Sequence, residues 1–427
     1  MFFYIFVLIV KSNPKMNIKP FVIIWAILCL CSCKKTSNNI VVSDKIVLAT
    51  PTVSGNKITL RWSKLNNNAL ISYSLKRMTD TTNTQAITSI NVVANDTEYT
   101  DTLTLNTYVQ YYVVANIFSS ASIVSNKETY ARTDVDLIAL TPVDALYDKV
   151  DNKICVYSTK GDIAVYDVAS KKMIKQIATQ ANVGYCDLGI YNGKEELYVP
   201  RSDGWLFIYD VVTLNQTDQI NIGSSVYSVT YNNGILFISG NNTNSNDIIF
   251  SYSRATKLMI SYQNSVNNVR VKLRPGSNSA FLGLDNYDNF YACRFDNAGY
   301  FLSQRYGYLN SYTTYVSSFE IFQGGNSLIS APDGVIVDSN FNYVSSLPHG
   351  SNTLNTFAFD SSVGLIYAGT NLKAIQAYSM SNYQLTQTIN TLGYPVKIFY
   401  NNDSLISVST NISPYSTSTI YSFIEAY

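Results

Sequence analysis

A pattern that recurs about every 43 residues constrains the fold of this chain more than any other feature. "TKGDIAVYDVAS" (159–170) and "SDGWLFIYDVVT" (202–213) carry Gly and Tyr-Asp at matching positions. A period of about 40–45 residues with several strand-like runs in each copy is typical of the blades of a β-propeller. The repeated aromatic or apolar position occurs in seven copies, at Tyr166, Tyr209, Tyr252, Phe295, Val337, Tyr378 and Phe423.

Each copy contains further strand-like runs around this position. A first run resembles "VYSVTY" (226–231), a second precedes the repeated position, and a fourth follows it, as in "QLTQTIN" (384–390). The turn between the second and third runs repeatedly carries Gly or Asn/Asp, as in "TKGD", "SDGW" and "APDG", which suits a tight hairpin. The sequence therefore predicts an all-β protein in which 135–427 form a seven-bladed β-propeller of four-stranded blades.

The last copy shows three of the four expected runs, whereas "VDLIAL" (135–140) is an apolar run left over before the first copy. We expect this segment to complete the last blade, because doing so closes the ring and removes an exposed sheet edge. The pattern resembles the YVTN/quinoprotein-like propeller superfamily over 135–427. It lacks the WD dipeptide of WD-repeat proteins and the tryptophan docking motifs of quinone-dependent dehydrogenases, so the resemblance implies no cofactor.

Residues 44–133 show a different pattern of short alternating runs, which predicts a β-sandwich. The runs are "KITLRWS" (57–63), "ISYSLKR" (71–77), "ITSINVV" (87–93) and "YVQYYVVAN" (108–116). They resemble a fibronectin type III domain, with Trp62 and Tyr73 at the core positions of the second and third strands and Tyr108 at the tyrosine corner. The resemblance implies a spacer or docking module that carries no chemistry.

The composition agrees with an all-β chain and excludes one class of partner. Tyrosine occurs 34 times, whereas charged residues make up only 14% and the net charge is +1. Such a chain lacks the basic surface that nucleic-acid binding requires. Cys155, Cys186 and Cys293 lie in strand-like runs and are expected to be buried free thiols, with a Cys155–Cys186 disulfide as the alternative.

The N-terminal region predicts export. "FVIIWAILCL" (21–30) is shorter than the roughly 20 residues that span a bilayer, but it fits the apolar core of a signal peptide with Lys19 before it. Met16 then serves as the start, and the alternative is a two-pass membrane hairpin. "LCSC" (30–33) resembles a bacterial lipobox, which implies cleavage before Cys33 and lipidation of its thiol.

The lipobox resemblance sets the predicted location. Residues 1–33 would be the signal peptide, and 34–43 would be a polar tether from the lipid to the first domain. A metal site is disfavoured, since the C-x-C-x-C spacing departs from that of zinc knuckles and His349 is the single histidine. The chain thus resembles an outer-membrane lipoprotein of Gram-negative bacteria, with its periplasmic or surface orientation left open.

Aromatic and arginine side chains are predicted to line one face of the ring, where the loops entering the first strand and joining the second to the third come together. Such side chains suit stacking and hydrogen bonding to a glycan or peptide, and the alternative is that they pack between blades. The predicted binding residues are Tyr185, Arg201, Trp205, Tyr227, Arg270, Tyr287, Tyr315 and Tyr394.

Catalytic and metal motifs are not found. The sequence contains no G-x-S-x-G, H-E-x-x-H or P-loop, and "DNYDN" (285–289) lacks the ligand spacing of an EF-hand. We therefore predict no catalytic residue, no metal and no cofactor, in a non-enzymatic envelope protein that binds a glycan or protein partner. The alternative is a propeller enzyme acting on polysaccharide, a glycoside hydrolase or lyase, with acids such as Asp203, Asp285 or Asp288 converging in the central funnel.

Overall fold

The computed structural model describes most of residues 42–427. Not described are residues 1–41 and 44, together with 55–56, 79–86, 103–108, 119–121, 131–134, 242–246, 265–269, 278–279, 285–288, 309–313, 402 and 414–419. The predicted signal peptide, Cys33, most of the tether, Tyr108, Tyr287, Asp285 and Asp288 therefore lie outside the described residues. Within the described part, no helix is long and apolar enough to cross a bilayer.

The first domain consists of two antiparallel sheets and one short parallel pair. One sheet has the order β2-β3-β7, the other has the order β10-β8-β5-β6 with β9 paired to β8, and β1 pairs with β4. The strands are β1 (Val42–Ser43), β2 (Thr52–Ser54), β3 (Lys57–Arg61), β4 (Lys64–Leu65), β5 (Leu70–Met78), β6 (Ile87–Val93), β7 (Glu98–Asp101), β8 (Val109–Ile117), β9 (Ile123–Val124) and β10 (Glu128–Tyr130).

Both sheets of the first domain contribute to one hydrophobic core. Leu60 from one sheet and Leu75 and Val113 from the other are completely buried in it. Trp62 and Tyr73 also belong to this core, and their rings meet edge to face at 5.7 Å between centroids. Two sheets packed on one core form a β-sandwich, while the fibronectin type III assignment stays a prediction.

Residues 138–427 form seven antiparallel sheets of four strands each. Blades 1 to 6 each take four consecutive strands, from β12–β15 for blade 1 to β32–β35 for blade 6. The strands of blades 1 to 3 are β12 (Asp144–Asp148), β13 (Lys153–Tyr157), β14 (Asp162–Asp167), β15 (Lys172–Ala178), β16 (Asp187–Tyr191), β17 (Lys194–Pro200), β18 (Trp205–Asp210), β19 (Gln216–Asn221), β20 (Val226–Asn232), β21 (Ile235–Asn241), β22 (Asp247–Ser253) and β23 (Met259–Asn264). Those of blades 4 to 6 are β24 (Arg270–Leu273), β25 (Ala280–Leu284), β26 (Asn289–Phe295), β27 (Phe301–Tyr308), β28 (Thr314–Ile321), β29 (Ser327–Pro332), β30 (Val335–Asp338), β31 (Tyr343–Ser346), β32 (Leu354–Asp360), β33 (Leu365–Thr370), β34 (Ala374–Ser379) and β35 (Leu385–Asn390).

Blade 7 is built from both ends of the propeller. It contains β36 (Tyr394–Asn401), β37 (Ser404–Thr410) and β38 (Tyr421–Ala426), and its outer strand is β11 (Ile138–Ala139). β11 pairs antiparallel with β38, with Ile138 opposite Ser422 and Ala139 opposite Tyr421. The predicted seven-bladed propeller and its closure by segment 135–140 are thus confirmed.

The repeated residue has the same structural role in successive blades. It lies on the third strand and is at most 7% exposed in all seven copies. In blades 1 to 6 the register between the third and fourth strands shifts at this residue, as at Tyr166, Tyr209 and Tyr252. The 43-residue period therefore marks a bulge that aims one large side chain into the contact between blades.

The glycines that align in the first two copies are required by their turns. Gly161 and Gly204 have φ angles of 92° and 90°, a region that side chains with a Cβ rarely adopt. A Cβ added at Gly161 would lie only 2.2 Å from Thr179 Oγ1. The repeat thus preserves glycine here for a conformational and a steric reason.

We predict that Ile138→Ala strongly destabilises the propeller, although β11 has only two residues. Ile138 is 7% exposed and packs with Val408 and Ile424 of blade 7, so its truncation should lower the free energy of unfolding by about 2–4 kcal/mol. Chemical denaturation of the variant measures this loss. Val363→Ala, at a side chain that is 65% exposed, is the control, and equal effects of the two changes would show that β11 does not hold the ring closed.

Candidate functional site

A cavity of about 500 Å³ occupies the centre of the ring. It is lined by residues of all seven innermost strands, which are β12, β16, β20, β24, β28, β32 and β36. On each innermost strand only two to four residues line this central cavity. The chemistry of the cavity is therefore set by a few positions in each blade.

Five charged side chains from four blades form one ion-pair network in the central cavity. The Arg270 guanidinium of blade 4 pairs with the Asp144 carboxylate of blade 1. Lys397 Nζ of blade 7 lies 3.3 Å from Asp144 Oδ1 and 2.5 Å from Glu320 Oε1 of blade 5. Lys272 Nζ of blade 4 completes the network at 2.7 Å from Glu320 Oε1. We call these five residues the central ion network.

Burial makes the pairing in this network necessary. Asp144, Arg270 and Lys397 are between 3% and 8% exposed. Removing such charges from water is costly unless each meets an opposite charge in good geometry. Asp144 pairs with both Arg270 and Lys397, and Glu320 pairs with both Lys272 and Lys397. The network therefore connects blades that are far apart in the sequence.

The pKa values within the network follow from burial and from the neighbouring charges. Burial alone would raise the pKa of Asp144 and Glu320, but the cations outweigh it, lowering the pKa of Asp144 and bringing that of Glu320 to about 2. Burial lowers the pKa of Lys272 to about 7, and the charges of Lys397 and Arg270 add to this effect against the attraction of Glu320. Lys272 is thus the member of the network that titrates near neutral pH.

Asp187 of blade 2 also lines the central cavity, in a different environment. Burial raises its pKa, although Thr230 Oγ1 and the Tyr231 backbone N–H both donate to its Oδ2 at 2.8 Å. These two hydrogen bonds join the innermost strands of blades 2 and 3. One oxygen of Asp187, Oδ2, therefore has a structural role, because it holds these two strands together.

Three of the predicted binding residues come together at one end of the central cavity. The Tyr185 and Tyr227 rings meet edge to face at 5.6 Å, and the Arg270 guanidinium lies 4.2 Å from the centre of the Tyr185 ring. Tyr185 is 7% exposed and Arg270 is 4% exposed, whereas Tyr227 is partly exposed. Tyr185 and Arg270 are thus packed inside the ring, and Tyr227 keeps part of its ring accessible.

Arg201 and Trp205 lie next to this group. The Arg201 guanidinium stacks 4.0 Å from the Phe207 ring and pairs with Asp203, while the partly exposed Trp205 ring lies 6.5 Å from Phe207. The Arg201 carbonyl accepts a hydrogen bond from the Val226 N–H at 3.1 Å, which places this turn beside Tyr227. A second cavity, of about 180 Å³, is lined here by polar and aromatic residues that include Asn182, Ser202, Ser225, Tyr185 and Tyr227.

Of the remaining predicted binding residues, only Tyr394 has a side chain within the described part. Tyr394 begins β36, with Lys373 Nζ 5.5 Å from its ring, and it lines neither of these two cavities. Tyr315 lies on β28, but its side chain is outside the described part, as is all of Tyr287. His349 donates from Nδ1 to the Asn352 carbonyl within its own loop.

Most of the central ion network is not among the residues predicted from the sequence. Arg270 is the one member predicted to bind, whereas Asp144, Lys272, Glu320 and Lys397 are not. The signal was a charged residue inside the first strand-like run of a copy, where an apolar residue is expected in a buried strand. The three thiols behave as expected, since Cys155, Cys186 and Cys293 are buried and free.

Comparisons with known proteins bear on the fold. No protein-family model and no curated protein matches the sequence. The crystal structure of the RRP9 WD40 repeats superposes with a TM-score of 0.54 at 11% identity, covering 69% of this chain and 98% of that chain. The crystal structure of Chaetomium thermophilum Raptor gives 0.52 at 12% identity, covering 69% of this chain and only 29% of that chain. The fold is a β-propeller. At such low identity the likeness shows the fold alone.

We predict that Lys272→Met changes how the stability of the propeller depends on pH. The pKa of Lys272 is about 7 in the folded state and 10.5 ordinarily, so between these values the unfolded chain binds more protons and stability rises with pH. Below about pH 7 the penalty for burying the charged lysine is complete. The melting temperature of wild type minus that of Lys272→Met should therefore increase from pH 6 to pH 9.

Thermal unfolding followed by circular dichroism checks this difference. Lys257→Met removes a lysine that is 43% exposed and serves as the control for the loss of a charge. A difference between wild type and Lys272→Met that is the same at pH 6 and pH 9 would contradict the assigned environment of Lys272.

Proposed function

We propose that this protein is a non-enzymatic, lipid-anchored protein of the bacterial outer membrane that binds a glycan or an envelope protein through its propeller. The first domain, which we take to be a fibronectin type III module, would hold the propeller away from the lipid at Cys33. The observation that carries the non-enzymatic part of the proposal is the central ion network, in which five charged side chains of the cavity are engaged with one another.

The ionised state of the two acids in the central ion network supports binding over glycoside hydrolysis. Glycosidases need two carboxyl groups about 5–10 Å apart, and one of them must keep a proton to donate to the leaving group. Asp144 and Glu320 both contact Lys397 Nζ, so an oxygen of one lies no more than about 6 Å from an oxygen of the other. The pKa of each is lowered, so neither carries a proton at neutral pH.

One observation favours the alternative of a polysaccharide-acting enzyme. A general base works best when its pKa lies near the working pH, and the pKa of Lys272 is about 7. A lysine of this kind in the central cavity could serve as the general base of a lyase. The ammonium of Lys272 is engaged with Glu320 at 2.7 Å, which is why we place this function second.

The binding face that we propose lies around Trp205 and Tyr227, which are partly exposed next to the 180 Å³ cavity. Their rings offer apolar faces for stacking, and Asn182, Ser202 and Ser225 supply polar groups beside Tyr227. Such a mixture suits the face of a sugar ring or a side chain of a protein partner. The buried Tyr185 and Arg270 would support this face from below.

We expect Trp205→Ala and Tyr227→Ala each to weaken binding by about tenfold or more, because exposed aromatic residues at the centre of a binding face often contribute over 1 kcal/mol. The detergent-solubilised full-length protein is tested on a glycan array and in a pull-down from envelope fractions, and the affinity of any retained ligand is then measured. Tyr262→Ala, at a side chain that is 56% exposed on the outer strand of blade 3, is the matched control.

The same material separates the two candidate functions. If neither a glycan nor an envelope protein is retained, or if the two variants bind as well as wild type, the proposed binding face is wrong. Polysaccharide cleavage by wild type that is lost in Lys272→Met would establish the enzyme in its place.

The proposed lipid anchor at Cys33 can be tested separately. Cys33→Ala should abolish incorporation of labelled fatty acid and release the protein from the membrane fraction, because the thiol that takes the lipid is gone. Cys31→Ala changes a thiol two residues earlier that is discarded with the signal, so that variant should remain lipidated. Continued membrane attachment of Cys33→Ala would refute the anchor.

A further inference from the structure

Three acidic residues meet where blade 1 contacts blade 2. Asp148 ends β12, Asp151 follows in the turn to β13, and Glu195 lies near the start of β17. Each offers a carboxylate oxygen, and these oxygens lie within 4.8 Å of one another. We call these three residues the acidic cluster.

The buried member of the acidic cluster has an oxygen without a protein partner. Asp148 is 0% exposed, and its Oδ1 accepts hydrogen bonds from the backbone N–H groups of Val150 and Asp151 at 2.8 and 3.0 Å. Among the described residues, no donor reaches Asp148 Oδ2, and the same holds for Glu195 Oε2. A buried carboxylate oxygen without a hydrogen-bond donor lowers the stability of the folded state, so it requires either a cation or a proton.

Blade 6 has a similar aspartate whose carboxylate accepts hydrogen bonds from hydroxyl groups as well as from the backbone. Asp360 ends the innermost strand β32 and is 3% exposed, as Asp148 ends β12. Its Oδ1 accepts from the Ser362 N–H at 2.9 Å and the Ser362 hydroxyl at 2.6 Å, and the Tyr400 hydroxyl also hydrogen-bonds to the carboxylate. In blade 1, by contrast, Asp148 Oδ2 has no hydroxyl donor among the described residues and lies close to the carboxyl group of Glu195.

Among the described residues, no lysine or arginine forms an ion pair with the acidic cluster. Lys153, the first residue of β13, pairs with Asp167 at 2.5 Å, while Lys149 and Lys194 are exposed to solvent. Cys155 is buried nearby, and burial together with the charges of Asp148 and Glu195 raises the pKa of its thiol, which keeps it neutral. Three carboxyl groups thus converge at the interface between two blades without a cationic side chain to pair with them.

We propose that Asp148, Asp151 and Glu195 bind a Ca²⁺ ion that ties the first turn of blade 1 to the second strand of blade 2. Ca²⁺ binds six to eight oxygen ligands at about 2.3–2.6 Å, so two ligands on opposite sides of the ion lie about 4.8 Å apart. The ligands are all carboxylate oxygens, which suits a hard cation and disfavours zinc or copper. Backbone carbonyls and water would complete the coordination shell.

A proton shared between Asp148 and Glu195 is the competing explanation. Without a cation, burial and the nearby Asp148 raise the pKa of Glu195 to about 8. Glu195→Gln separates the two cases, because an amide N–H can donate to Asp148 Oδ2 in place of the proton but a glutamine is a weaker ligand for Ca²⁺.

The test uses the full chain, stripped of metal with EDTA and then titrated with CaCl₂ in calorimetry and in thermal unfolding. We expect one Ca²⁺ per chain, a saturable rise in melting temperature, and a smaller response to MgCl₂. Asp151→Asn and Glu195→Gln should bind Ca²⁺ at least tenfold more weakly. Asp151 is exposed, and its backbone N–H to Asp148 is retained in the variant, so this chain should still fold.

Asp360→Asn is the matched control, because it changes the equivalent aspartate of blade 6 and should leave the Ca²⁺ response intact. No heat of binding and no change in the melting temperature of wild type up to about 10 mM CaCl₂ would overturn the proposal, since that exceeds the range of weak extracellular sites. A Ca²⁺ response that persists in both Asp151→Asn and Glu195→Gln would equally overturn it, by placing the ion elsewhere.

Discussion

The antiparallel pairing of β11 with β38 is the contact on which the propeller depends. Seven sheets can enclose a central cavity only if the first and last meet, and here a two-residue strand from before blade 1 provides that connection. The contact is reinforced by Tyr166 of blade 1, whose hydroxyl donates to the Ser422 carbonyl of blade 7 at 3.0 Å. Without this closure β38 would expose an unpaired edge, and the innermost strands would have no common centre.

Closure of the ring allows the ion pairs of the central ion network to form. Asp144 and Arg270 are 126 residues apart and Lys397 and Glu320 are 77 residues apart, yet each pair meets across the cavity. The same closure brings polar contacts to the blade interfaces, as where Arg254 of blade 3 pairs with Glu196 and Asp218 of blade 2 at 2.8 and 2.9 Å. Charges that would be costly in a single sheet are accommodated because neighbouring and opposing blades supply their partners.

The propeller could be predicted from the sequence because its signal is local and repeated. Tyr166, Tyr209 and Tyr252 recur at a fixed spacing since each blade needs a large residue at the same bulge. The central ion network could not be predicted, because it joins residues from four blades whose approach depends on ring closure, and no two of its paired members are near in sequence. The loop positions of Tyr185 and Arg270 predict them as site candidates, but their burial depends on Tyr227 and Asp144, which the chain brings to them only in the folded ring.

The sharing of Asp144 between Arg270 and Lys397 has a consequence for how the molecule comes apart. In linear repeat proteins each unit contacts only its neighbours, so unfolding can start at one end and spread. Here a single carboxylate couples blades 1, 4 and 7, and Glu320 extends the coupling to blade 5. Fraying of one blade would leave charges stranded in several others, which makes partial opening unfavourable and favours loss of the ring in one cooperative step.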